Sequence, residues 1–267
     1  MCIRDRSNSD TFPQASEPVV LNKEHIRRFS LDGYLLLESF FTTQQIEICL
    51  EKITNYTEQN ISRVPNEEIF HEIKCDFSSL KQLQRMHLYD SWFDLLFNGK
   101  PKMLAENLLE GKVINKNLQY FNKPPGINKA TPPHQDGYYF KLTPPKALTM
   151  WLALDDVDEN NGCVRYVKGS NHKGMRDHST TGTLGFSQGI TEYGNNEDIK
   201  NEIAISAKKG DLIVHDSLTI HRADQNLSQS RQRRALGFIF YSADSKEDNE
   251  SVKNYQNQLK IQQSGKI

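Results

Sequence analysis

Cysteine is scarce in this sequence of 267 residues: Cys2, Cys49, Cys75 and Cys163 stand far apart and form no C-x-x-C pair. A zinc ribbon and a disulfide framework are not expected on that ground, and a reducing cytoplasm is the expected setting. An excess of either charge is also missing. The 33 basic side chains meet 34 acidic ones, a formal net charge of −1. Binding to nucleic acid or to an anionic membrane through bulk charge is therefore not expected. No apolar run approaches the roughly 18 residues of a membrane span. The longest, Tyr34 to Phe41, is broken by Glu38 and Ser39. Neither H-E-x-x-H nor G-x-x-x-x-G-K-[ST] occurs, which removes the zincin and P-loop readings. Gly182, Gly185 and Gly189 then read as loop flexibility rather than a phosphate cradle. Met1 to Asp10 has no apolar stretch, so a secretory leader is not expected. Its opening, MCIRDR, looks like a translated sequencing adapter, and residues 1–10 are set aside as an artefact or a disordered tail.

What is present divides into two characters. The first part reads as helical. Asn22 is placed to cap a short helix that Asp32-Gly33 would stop. Tyr34 to Phe40 reads as a strand, and Thr42 or Thr43 opens an amphipathic helix with Ile46, Cys49, Leu50 and Ile53 on one face. Two further helical patterns lie near Ser91 to Phe97 and Pro101 to Leu109. After Gly111 come short apolar runs broken by Gly, Pro, Asn and Asp. Val113–Phe121, Ala147–Leu154, Cys163–Val167, Ile203–Ile205, Leu212–Val214 and Ala235–Tyr241 all read as strands. Short strands with turn-rich connections predict a sandwich or barrel. From Asp244 onward a polar segment spaces Val252, Tyr255, Leu259 and Ile261 as a terminal helix or tail would.

The chemistry concentrates at Pro132-Pro133-His134-Gln135-Asp136-Gly137. On an extended chain residues i and i+2 share a face. His134 and Asp136 can therefore offer a nitrogen and a carboxylate oxygen to one metal ion. A second histidine would complete a 2-His-1-carboxylate triad, the signature of non-haem Fe(II) oxygenases. His25, His71 and His87 read as surface or packing residues. His172 and His178 lie in a Gly/Ser/Thr-rich stretch. His215 and His221 are both strand-like. His221 is favoured, because a polar turn follows it and a new strand begins at Arg233-Arg234. If the chain doubles back there, His221 and an arginine lie on neighbouring antiparallel strands. A metal ligand and a guanidinium fork for a carboxylate would then share one pocket.

These residues resemble the phytanoyl-CoA dioxygenase family of Fe(II)/2-oxoglutarate oxygenases. Asn122-Lys123-Pro124-Pro125-Gly126, the strand Thr149 to Leu154, Asn160-Asn161-Gly162-Cys163, Gly169-Ser170-Asn171-His172-Lys173, Gly210-Asp211 and Asn226 extend the likeness over roughly Gly111 to Tyr241. Lys168 stands where proline is usual, and Ala223 where the family often has a serine. The resemblance implies a mainly β fold: a double-stranded β-helix (jelly-roll, cupin-like) core with N-terminal and flanking helices. It implies one oxygenase domain over 11–267, with a helical part about 20–110, the core about 111–242 and a helix or tail over 244–267. His134, Asp136 and His221 match the family's iron ligands. Arg233 matches the arginine on the distal carboxylate of 2-oxoglutarate, and Gln119 and Trp151 fall at co-substrate contacts. The implied reaction couples oxidative decarboxylation of 2-oxoglutarate by O2, with ascorbate in support, to hydroxylation of a small-molecule substrate. Because Asp136 is present, hydroxylation is expected over halogenation.

Alternating side chains decide between the two arginines. Arg233, Ala235 and Gly237 share one face, with room for a ligand, while Arg234, Leu236, Phe238 and Phe240 share the other. Arg233 is expected in the pocket. The segment Asn171 to Asp198 holds six Ser/Thr and five Gly. It reads as a long loop over the iron, with His172, Arg176 and His178 as substrate contacts. Two rival readings remain open in the sequence: a cupin-like metal-dependent hydrolase or isomerase, and a non-catalytic jelly-roll binding protein.

Overall fold

The computed structural model describes residue 12 and residues 19–73, 79–126, 129–183, 186–254 and 257. Residues 1–10 lie outside these. In chain order the first elements are α1 (Lys23–Asp32), β1 (Tyr34–Leu37), α2 (Thr43–Gln59), β2 (Ile69–His71), β3 (Leu80–Leu83), α3 (Ser91–Asn98), α4 (Lys100–Leu108) and β4 (Val113–Asn122). Next are β5 (Thr131–His134), α5 (Gly137–Phe140), β6 (Leu142–Thr143), β7 (Ala147–Ala153), β8 (Val164–Val167), β9 (His178–Thr183) and β10 (Phe186–Ile190). The last are α6 (Asn196–Asn201), β11 (Glu202–Ile205), β12 (Leu212–Asp216), β13 (His221–Ala223), β14 (Arg234–Ser242) and β15 (Lys246–Glu247). Residues 249–254 are helical. Tyr255, Leu259 and Ile261, read as part of the same terminal element, lie outside the described residues.

Local chemistry sets the helix ends. The Asn22 side chain accepts the His25 amide, and Gly33 stops α1 with a left-handed φ of 81°. Thr42 and Gln45 close a capping box at the start of α2.

Two antiparallel sheets face each other. The larger runs β1-β12-β7-β14-β4-β3-β2, and the smaller β11-β8-β13-β5. This is the expected double-stranded β-helix. The outer face of the large sheet carries Leu118, Tyr120, Leu148, Met150, Leu152, Leu212, Val214, Leu236, Phe238 and Phe240. These pack with Phe93, Leu96, Phe97 and Leu104 of the helices in one core. The inner face carries Trp151, Ala153, Ile213 and Ala235, which meet Val164, Tyr166 and Ile205 of the small sheet. This arrangement locks the register of β14. A one-residue slip would strip Leu236, Phe238 and Phe240 from the helices at roughly 1.5–3 kcal/mol each.

The six strands expected after Gly111 form close to their expected bounds. Two expectations need correction. β2 and β3 extend the large sheet beyond β4, where the sequence pattern gives no strand. β3 is Leu-Lys-Gln-Leu, and its Lys81 and Gln82 are buried polar groups that hide the strand signal. The stretch Asn171 to Asp198 is not a structureless loop. β9 and β10 pair as an antiparallel ribbon, and α6 follows. Its Ser, Thr and Gly residues mask a strand pair that lies against β5 and anchors Ile190 beside Val167 and Ile220. Leu184 and Gly185 of this stretch lie outside the described residues.

Candidate metal centre and co-substrate pocket

β5 and β13 bring the two histidines together. His134 and His221 are direct cross-strand partners, with ring centroids 4.2 Å apart. Asp136 follows β5 at the start of α5, where the chain turns under Ser217: the Gly137 amide donates to the Ser217 carbonyl at 2.8 Å. The ligand atoms of His134, Asp136 and His221 all lie within 4.8 Å of one another. Asp136 Oδ1 sits 3.4 Å from His134 Nε2 and 3.7 Å from His221 Nε2.

Hydrogen bonds select the atoms that face inward. His134 Nδ1 lies 2.8 Å from the Pro132 carbonyl, and His221 Nδ1 lies 2.9 Å from the Thr219 carbonyl. A carbonyl can only accept, so each Nδ1 carries the proton and each Nε2 presents its lone pair. Burial, reinforced by the neighbouring His134 and His215, holds His221 well below the usual histidine range, so it is neutral. Burial alone would push the Asp136 carboxyl up. The neighbouring His221, His134 and His215, the last donating from Nε2 to Oδ2, outweigh it and hold the group well below the usual range. The site thus offers two neutral imidazole nitrogens and one carboxylate oxygen, the donor set of a facial-triad metal site.

A part of the site that the sequence reading missed lies behind Asp136. Thr149 Oγ1 donates to Asp136 Oδ2 at 2.5 Å, and His215 Nε2 lies 3.1 Å from the same oxygen. Tyr166 Oη lies 3.0 Å from His215 Nδ1. Burial and the nearby Asp136 push the Tyr166 phenol well up, so it stays protonated. The proton order follows: Tyr166 donates to His215 Nδ1, and His215 donates from Nε2 to the carboxylate. His215 therefore buttresses a ligand rather than simply occupying a strand. Its parity within Leu212–Asp216 was a usable signal, because it shares the inner face with Ile213.

Arg233 is buried on the inner face, as the strand parity predicts, but its strand does not lie beside that of His221. β13 pairs with β5 and β8, whereas β14 pairs with β4 and β7. The polar segment between them crosses from the small sheet to the large one. Asn226 fixes the crossing by donating to the Lys123 and Arg231 carbonyls at 2.8 and 2.7 Å. Buried Lys123 donates to the Asp224 carbonyl at 2.9 Å. Arg233 is buried; its Nε donates to the Gly162 carbonyl at 2.9 Å, and its guanidinium lies 5.1 Å from the Trp151 ring centre. Gly162 adopts φ +87°, and a Cβ there would stand 2.6 Å from the Asp224 carbonyl oxygen. Among the described residues no carboxylate forms an ion pair with Arg233. Burial pushes its guanidinium down to about 10, still protonated at neutral pH. Arg234 instead grips Asp155 through two nitrogens at 2.9 and 2.6 Å.

Gln119 and Trp151 both oppose Gly237, one on each side of β14. A Cβ on Gly237 would come within 2.8 Å of the Phe121 ring and 3.0 Å of Gln119 Cγ, so only glycine leaves these side chains their places. Gln82 donates to Gln119 Oε1 at 2.9 Å, which leaves the Gln119 amide nitrogen as the end available to a ligand. His25, His71 and His87 stand on α1, on β2 and just before α3, away from the triad. Arg176, expected as a substrate contact, is committed elsewhere. It pairs with the buried Asp198 at 2.9 Å and donates to the Glu192 carbonyl.

The chain matches the family described as "Phytanoyl-CoA dioxygenase (PhyH)" over residues 29–235. It is 25% identical over 254 residues to "Phytanoyl-CoA dioxygenase 1" of Oryza sativa subsp. japonica, covering 82% of this chain and 89% of the relative. It is 26% identical over 226 residues to the "Probable alpha-ketoglutarate-dependent hypophosphite dioxygenase" of Stutzerimonas stutzeri, covering 82% and 78%. Among solved structures, the epimerase SnoN in complex with Fe3+, alpha ketoglutarate and nogalamycin RO superposes with a TM-score of 0.67 at 19% identity, covering 84% of each chain. EvdO2 from Micromonospora carbonacea var. aurantiaca, complexed with 2-oxoglutarate, gives 0.67 at 17% identity and covers 86% of this chain and 94% of that one. These two structures share the fold. The match over most of the chain, together with the triad and the buried arginine, places this protein in the phytanoyl-CoA dioxygenase family.

Proposed function

We propose that the protein is an Fe(II)- and 2-oxoglutarate-dependent dioxygenase that hydroxylates a small-molecule substrate with release of succinate and CO2. The observation that carries this reading is the pairing of two features. A preformed His134–Asp136–His221 donor set lies in the same inter-sheet space as Arg233, a buried cation with no acidic partner among the described residues. A buried cation needs a counter-charge. A hydrolase acting on neutral compounds would have no use for it, whereas the distal carboxylate of 2-oxoglutarate supplies one.

Within this reading His134, Asp136 and His221 hold the iron, which supplies the activation of O2. Arg233 grips the distal carboxylate as a planar fork. Trp151 walls the guanidinium on one side, and the free amide end of Gln119 donates a hydrogen bond to the bound acid. The apolar inner face excludes water from the pocket. The domain spans the N-terminal helices and the barrel, because the outer face of the large sheet and the helices share one core. No helix among the described residues is long and apolar enough to cross a membrane. Cys49 and Cys163 are buried thiols, which supports a cytoplasmic setting.

The test is a metabolite screen with purified protein, Fe(II), ascorbate and 2-oxoglutarate. The expected result is iron-dependent succinate formation that a substrate stimulates. Decarboxylation that ignores iron, or that survives loss of Asp136, would refute the assignment.

A further inference from the structure

We propose that Gln135 is a positioning residue that couples metal binding to the order of the β9–β10 ribbon. The inference rests on the metal-site reading above. Alternation along the chain turns Gln135 away from the metal face that His134 and Asp136 share. Its side chain is fully buried and fully used. Nε2 donates to the Leu218 carbonyl at 2.7 Å and to the Gly174 carbonyl at 2.9 Å, while Oε1 accepts the Arg176 amide at 2.8 Å. Leu218 lies in the turn that delivers His221. Gly174 and Arg176 lie in the segment that delivers the ribbon. One amide therefore ties together both metal-ligand segments and the chain entering β9.

The backbone and neighbours of Gln135 reinforce the tie. The Gln135 amide donates to His178 Nε2 at 3.1 Å, and His178 stacks on Tyr138 at 4.3 Å. Tyr139, whose ring stands edge-on to His134 at 5.9 Å, donates its hydroxyl to the Gln188 carbonyl of β10 at 2.6 Å. Gly189 packs against Pro132 and Pro133 of β5. Every one of these contacts starts from the segment that carries His134 and Asp136. A metal ion that stiffens this segment stiffens the ribbon, and by reciprocity an ordered ribbon tightens the metal. Glutamine is the side chain that fits, since glutamate would present acceptors only to two carbonyl oxygens.

The test uses Mn(II) as the probe, with metal affinity and hydrogen exchange over 174–183 as readouts that need no turnover. In the unaltered protein Mn(II) is expected to slow exchange over 174–183. Gln135→Glu is expected to abolish that slowing and to weaken Mn(II) about tenfold or more, the scale seen when the groups that orient metal ligands are removed. His178→Ala leaves the metal ligands and the Gln135 side chain intact; it is expected to speed exchange in the ribbon and to weaken Mn(II) as well. Mn(II) that binds without changing exchange over 174–183 overturns the coupling. So does a His178→Ala protein with a loosened ribbon and unchanged Mn(II) affinity. Absence of Mn(II) binding, or binding that survives His221→Ala, instead overturns the metal site on which the coupling rests.

Discussion

Thr149 and His215 face each other across the β7–β12 ladder, and both bind one oxygen, Asp136 Oδ2. The pair leaves Oδ1 as the oxygen that meets His134 and His221. A carboxylate on a short side chain has a free χ2 torsion. Two donors on one oxygen remove that freedom before a metal arrives, which is how outer partners raise affinity.

Thr149→Val removes the hydroxyl and preserves shape. It is expected to weaken metal binding about tenfold or more and to lower thermal stability by about 1.5–3 kcal/mol, the scale of a hydrogen bond to a charged group. A metal titration beside a thermal melt reads both. His215→Phe is expected to act in the same direction and more strongly, because it also strands the Tyr166 hydroxyl. Unchanged affinity in both variants would show that the ligand orients itself.

His134→Ala, Asp136→Ala and His221→Ala are each expected to abolish iron-dependent succinate formation. The fold should survive, because the sheets are held by the apolar faces and not by the triad. Circular dichroism checks the fold, and succinate release checks the chemistry. Substantial turnover in any one of the three would remove that residue from the ligand set.

Acid is expected to destabilise the metal-free protein, and the sign follows from His221. In the folded chain it titrates well below the ordinary histidine value of 6.5. Above pH 6.5 both folded and unfolded forms are neutral there, so the group contributes nothing. Between 6.5 and the depressed folded value only the unfolded chain takes up the proton. Stability therefore falls as pH drops, by up to about 1.4 kcal/mol per pH unit for this one group. Asp136 acts in the same direction below the ordinary Asp range, because the unfolded carboxylate protonates first. Urea melts between about pH 7.5 and 5, a window that spans the ordinary histidine range, should show a shallower slope in His221→Asn. An equal slope would place the acid sensitivity elsewhere.

The sequence made most of this architecture legible because the core strands alternate cleanly and their faces differ in bulk. Leu236, Phe238 and Phe240 against Ala235 and Gly237 predict both the strand and the direction of Arg233, and the packing bears this out. The His-x-Asp spacing was equally plain, since it depends on the two-residue repeat of an extended chain. The crossing between His221 and Arg233 was not legible. A polar turn looks the same whether it returns to the neighbouring strand or to the opposite sheet, and the contact from Asn226 to the Lys123 carbonyl that helps fix it is distant in sequence. For His215 parity signals the inner face, but its role was hidden because its partners, Asp136 and Tyr166, come from other parts of the chain. The β9–β10 ribbon is rich in Ser, Thr and Gly, so its own residues carry little strand signal.

Strand parity separates Arg233, buried on the inner face, from Arg234, which pairs with Asp155. Removing one partner of a bidentate charge pair in a buried site costs on the order of 2–5 kcal/mol. Arg233→Ala is accordingly expected to raise the KM for 2-oxoglutarate at least about tenfold, at roughly 1.4 kcal/mol per decade. Arg233→Lys should recover only part of this, because an ammonium does not reproduce the fork. Arg234→Ala should leave that KM nearly unchanged, since its guanidinium is engaged by Asp155 on the rim. Gly237→Val probes the same pocket without removing a charge. Its side chain would press on Phe121 and Gln119, and at 2.8 and 3.0 Å from the new Cβ neither has room to stay. If Gln119 contacts the bound acid, Gly237→Val raises the 2-oxoglutarate KM while metal affinity holds, because the atoms nearest the new Cβ belong to Phe121 and Gln119 and not to the triad. A variant that loses metal and 2-oxoglutarate together would mean that the inner face had collapsed as a whole. A variant with both unchanged would remove Gln119 from the pocket.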